Sequence, residues 1–169
     1  MSRTARQALR PGSIGRVVYV AIAVAASIMV GYLVATDPAP YERVISELRF
    51  PAAWVVPHAD VEQRSLLFGS HVTRFYLVDA DPDDTAPVVE RVVSEAGFTL
   101  DRSYGPTCHR NPSAGPIETC TVAALREGIY LWIVAHARGK LVSPSFRGDE
   151  PGVGAPNLSV IRVQAGSGY

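Results

Sequence analysis

VVYVAIAVAASIMVGYLVA, residues 17–35, governs the reading of everything around it. The run contains no charge, no proline and no side-chain amide. As a helix rising 1.5 Å per residue it covers roughly 28 Å, close to the ~30 Å hydrocarbon core of a bilayer. Lipid offers no partner for free backbone N–H and C=O groups, so a lone segment crosses only as a helix. The stretch therefore predicts a transmembrane helix over 17–35.

On its N-terminal side lie Arg3, Arg6, Arg10 and Arg16 and no acidic residue. Basic residues flanking a span mark its cytoplasmic end, so residues 1–16 are expected to form a basic cytoplasmic arm. A cleaved signal peptide is the alternative. Against it, the apolar run exceeds the usual 7–15 residues, and Leu33-Val34-Ala35 only imitates a small-x-small cleavage site. No Cys comes directly after the run, so a lipoprotein anchor is not expected. The expectation is an uncleaved single-pass anchor in the cell membrane, with the N-terminus cytoplasmic and the C-terminal domain extracytoplasmic. Within the span, Ala23, Ser27 and Gly31 recur every four residues, a ridge of small side chains that permits close helix–helix approach and self-association.

The chain carries sixteen basic and sixteen acidic residues, but four of the basic ones precede the span and every acidic one follows it. The C-terminal part is thus about −4, with no basic stripe, which argues against nucleic acid as a partner. Lys140 is the sole lysine; the arginine bias and the abundance of Ala, Val, Gly and Pro suggest a GC-rich bacterial genome.

Beyond the span the sequence divides into residues 36–69, a juxtamembrane helix with an extended linker; 70–165, a compact domain; and 166–169, a flexible tail. Tyr41, Val44, Ile45 and Leu48 make one helical stripe after Asp37-Pro38, and that helix is expected to end at Phe50. Residues 51–57 read as extended between their prolines. Strands are predicted over 72–79, 98–104, 119–125, 129–137 and 158–163, with a hairpin at Arg126-Glu127-Gly128. Val89, Val92, Val93 and Ala96 mark the buried face of a helix over 86–96, capped by Asp84 or Thr85 and closed by Gly97. The order predicts an α+β fold with a mostly antiparallel sheet and one main packed helix.

Cys108 and Cys120 are the only cysteines, and outside the cytoplasm they are expected to form a disulfide; the alternative is two unlinked buried thiols. Asp79, Asp81, Asp83 and Glu90 fall at positions 1, 3, 5 and 12 of a calcium loop. Asp84 occupies the position that needs glycine and Pro82 stiffens the middle, so a solvated strand-to-helix turn is the expected reading. The four histidines, His58, His71, His109 and His136, lack zinc-site spacing, and no metal or cofactor is expected. His136 shares a hairpin face with Val134 and Trp132 and reads as a packed histidine. No nucleophile elbow, phosphate loop or dinucleotide fingerprint is present.

Loop 139–157, with three prolines and four glycines, is unusually long for a compact domain. Its Lys140, Phe146, Arg147, Asp149 and Glu150 join an aromatic to both signs of charge and are the candidate interaction residues. The functional expectation is an accessory or scaffold subunit of a bacterial envelope assembly that binds a protein partner at its external face. A small-ligand sensor is the alternative, followed by an envelope hydrolase.

Overall fold

In the computed structural model of the chain, the described residues are 11–35, 37–63, 70–103, 107–110, 117–143 and 152–167. Two compact units are present, Met1–Thr36 and Asp37–Tyr169. The first is built on one helix, α1 (Pro11–Ala35), 25 residues long. Its described side chains, residues 18 to 33, are all exposed, among them Ile22, Ile28 and Met29. Among the described residues no helix is long and apolar enough to cross a membrane. The transmembrane helix expected over 17–35 is thus found as a helix but not as a span.

The second unit begins with α2 (Ala39–Glu47). The Asp37 carboxylate accepts from the Ala39 N–H at 3.0 Å, satisfying one of the free donors at the helix start. Val44, Ile45 and Leu48 are buried against the sheet, which settles where the stripe rests. The helix stops at Glu47, three residues before the expected end at Phe50. Residues 51–54 then turn, with the Trp54 N–H donating to the Pro51 carbonyl, so of the segment expected to be extended the first part is a turn and Val55 joins the sheet by bridging Leu77. The turn stacks Phe50 on Trp54 at 4.9 Å and brings both onto Tyr76.

The sheet contains β1 (Val61–Gln63), β2 (His71–Val78), β3 (Thr99–Leu100), β4 (Thr107–Arg110), β5 (Ile117–Arg126), β6 (Ile129–His136) and β7 (Ser159–Ser167), in the order β1-β2-β7-β6-β5-β3 with β4 also on β5. Every pairing is antiparallel. The α+β class with an antiparallel sheet is therefore the observed one. Between β2 and β3 runs α3 (Pro82–Glu95), which packs with α2 on one face of the sheet. Val72, Leu131, Ile133, Ile161, Val163, Val89 and Val93 are at most 1 % exposed there. Each such side chain contributes about 1.5–3 kcal/mol by leaving water.

Several boundaries differ from the sequence reading. α3 starts four residues before residue 86, with Asp81 as N-cap and Pro82 at N1, where a missing N–H costs nothing. It ends as anticipated: Gly97 adopts φ +80°, its N–H donates to the Ser94 carbonyl and the Phe98 N–H to the Val93 carbonyl. The hairpin turn places Glu127 and Gly128 at φ 51° and 80°, the two left-handed residues a two-residue connection needs. Of the strand foreseen over 98–104, the described residues form only Thr99–Leu100, and residue 104 lies outside them. β1 and β4 arise where no strand was expected. Finally, β7 runs to Ser167 with Ala165 fully buried, so the tail expected after 165 is partly the last rung of the sheet.

Candidate functional site

With both helices on one face, the opposite face of the sheet carries the remaining side chains. Strand alternation sends Thr73 and Phe75 of β2, Arg162 and Gln164 of β7, Trp132, Val134 and His136 of β6, and Thr119 and Thr121 of β5 to this outer side. Part of it is closed. Val142 and Val153, which pair across the base of the long loop, pack with Phe75 and Val160 in a small second core.

Arg162 is at the centre of what is left. Its Cα partners are Phe75 on β2 and Val134 on β6. Trp132 and His136 occupy the two diagonal positions on β6, and Thr121 lies one strand further on. The side chain is half-buried, and its Nε is shielded from solvent without a hydrogen-bond partner. Among the described residues no carboxylate pairs with it. Burial lowers its pKa from the ordinary guanidinium value, the mark of a charge held away from water without compensation.

The histidines register the same field. His136 is pushed down to about 4, first by burial and then by the charges of Arg162 and Lys140, and its Nε2 is buried without a partner. His71 is lowered by burial and by Arg162. Both are neutral at pH 7. The packed reading of His136 holds for its place on the half-buried face, but its ring carries an unmet polar atom. The outer face thus offers one cation, a neutral imidazole and an indole, a set suited to holding an anionic group.

The other sequence candidates separate from this place. Cys108 and Cys120 face one another across β4 and β5 and are joined by a disulfide, which removes the thiol from any nucleophilic role. Lys140 is exposed, near enough for its charge to act on His136. Phe146, Arg147, Asp149 and Glu150 lie outside the described residues. Ala23, Ser27 and Gly31 are exposed on α1, with the Ser27 hydroxyl donating to the Ala23 carbonyl at 2.9 Å.

The acidic run is used internally. Arg138 donates to Asp79 at 2.6 Å, to Asp81 at 2.9 Å and to the Asn157 carbonyl at 3.0 Å, tying the loop's two ends to the start of α3. Among the described residues no group of three or more His, Cys, Asp or Glu could hold a metal ion. Elsewhere Asp60 takes a two-pronged pair from Arg74 at 2.7 Å in each arm, and Arg126 joins Glu47 to the C-terminal carbonyl of Ala96.

Sequence reasoning missed Arg162, which lies in the strand expected over 158–163 without a local signal of its burial. The available signal was the hairpin face Trp132-Val134-His136, too apolar for a solvated surface. No protein-family model, no curated protein and no solved structure matches this chain.

Proposed function

We propose that this protein is a single-pass membrane-anchored interaction module of a bacterial envelope, with its acidic α+β domain outside the cytoplasm. The surface of α1 supports this reading most directly. Apart from Ser27, whose hydroxyl is tied to the Ala23 carbonyl, its described side chains are aliphatic, small or tyrosine and exposed on every side, and a helix of that kind is stable only inside lipid or another protein. The apolar sequence continues to residue 35, and the four arginines of the N-terminal arm set the cytoplasmic end. The Ala23, Ser27 and Gly31 ridge suits pairing with a second copy within the bilayer. The disulfide accords with an oxidising compartment. In this reading the domain holds an envelope partner, and the loop bearing Lys140, Phe146, Arg147, Asp149 and Glu150 is its contact.

Protease added to intact spheroplasts tests the orientation. Digestion of the domain without lysis is the expected result; a domain protected until the membrane is opened contradicts the proposal. Crosslinking in native membranes, followed by shortening of the 139–157 loop, then tests the partner: the crosslink disappears if the loop makes the contact. A second reading, a small-ligand sensor, is favoured by one observation, the uncompensated Arg162 on the outer face.

A further inference from the structure

We propose that the outer face of the sheet around Arg162 binds a small monocarboxylate with an apolar or aromatic body. The inference deepens the sensor reading and is independent of the membrane anchor.

Three observations converge. The Arg162 guanidinium has a shielded Nε without a partner, and the described residues supply no carboxylate to it. A guanidinium also presents its two terminal nitrogens as paired N–H donors at the spacing of the two oxygens of a carboxylate, and with Nε shielded these are the donors Arg162 turns to a ligand. On the adjacent strand, Trp132 and His136 lie at the two diagonals of Arg162, positions about 7–8 Å away in a sheet and within reach of long side chains. The His136 Nε2 is a second shielded polar atom with no partner on the same face. Val134, between them, gives an apolar floor.

The count of charges selects the ligand. Arg162 is the cation set within the face; His136 and His71 are both neutral at pH 7, and Lys140, whose charge reaches His136, is exposed at its margin. A single negative charge balances Arg162, whereas a phosphate dianion would have to draw its second countercharge from the exposed Lys140, where water screens it. Trp132 beside the arginine provides a flat surface for the ligand's body.

The test uses the full chain in detergent micelles, with phenylacetate as the probe and sodium chloride holding ionic strength constant. Melting temperature and tryptophan fluorescence are read together. The wild type is expected to show a saturable fluorescence change and a rising melting temperature. Arg162→Met is expected to weaken the response at least about tenfold, and Arg162→Lys, a point charge without the fork, to lie between. Arg162→Lys also serves if the methionine variant fails to fold. Inorganic phosphate at equal concentration is expected to give the smaller shift.

No response in the wild type overturns the proposal, as does an equal response in Arg162→Met or a larger one to phosphate. A response that appears only in Asp149→Asn/Glu150→Gln overturns it too, because the chain's own acids would then already neutralise the arginine. None of these results bears on whether α1 enters a membrane.

Discussion

His136 keeps its proton only below about pH 4, whereas in the unfolded chain it titrates near 6.5. Between those values the unfolded state binds a proton that the folded state refuses. The contribution is therefore full above about pH 6.5 and lost as pH falls toward 4. His71, lowered as well, acts in the same direction. With allowance for partial solvent access, the loss through His136 is on the order of 1–2 kcal/mol. Urea melts at pH 7.0 and pH 4.5 should show it, and His136→Phe should flatten the difference; an unchanged slope in that variant argues against a buried neutral ring. Arg162 makes the opposite kind of prediction. Replacing an unpaired, half-buried cation with methionine removes a desolvation cost, so Arg162→Met should gain about 1 kcal/mol in the ligand-free protein, read as a higher melting temperature. A clear loss would show that the guanidinium is satisfied. His136 was legible in the sequence as a packed histidine, but Arg162 was not. Arginine at alternate strand positions ordinarily faces water, and only the pairing of β7 between β2 and β6 encloses it.

At the scale of elements, the hairpin turn, the helix stop at Gly97 and the α2 stripe were legible because each depends on neighbours within a few residues. β1 and β4 were not. Each is a short edge strand whose existence depends on a distant partner, β2 for one and the disulfide-linked β5 for the other. The same holds for the start of α3, where Asp84 and Thr85 offered caps downstream of Asp81, the residue that caps the helix with Pro82 after it. Two predictions belong here. A Cβ at Gly154 would stand 2.5 Å from the Lys140 carbonyl oxygen, a backbone atom that cannot step aside. Gly154→Ala should cost about 1–3 kcal/mol and loosen the Val142–Val153 bridge, measurable as faster amide exchange at both residues. Exchange unchanged from wild type would mean the two strands are not that close. Removing the disulfide by Cys108→Ser/Cys120→Ser should lower stability by about 3 kcal/mol, by freeing a loop closed over twelve positions. The loss should concentrate in β4, which has no neighbour besides β5 among the described strands.

Across the whole molecule, a chain with balanced charge is in effect two polymers: an arginine-bearing arm with an apolar helix, and an acidic antiparallel domain with its helices on one side. The domain satisfies its own surface, since α2 and α3 cover one face of the sheet and the long loop part of the other. The helix α1 does not, because every described side chain from residue 18 to 33 stays open. That contrast carries the account, and alkaline carbonate washing of membranes from cells expressing the full chain tests it most directly. The protein should stay in the pellet, and a variant lacking residues 17–35 should leave with the soluble fraction. A full-length chain stripped into the supernatant by carbonate would contradict the anchor and, with it, the placement of the domain outside the cytoplasm.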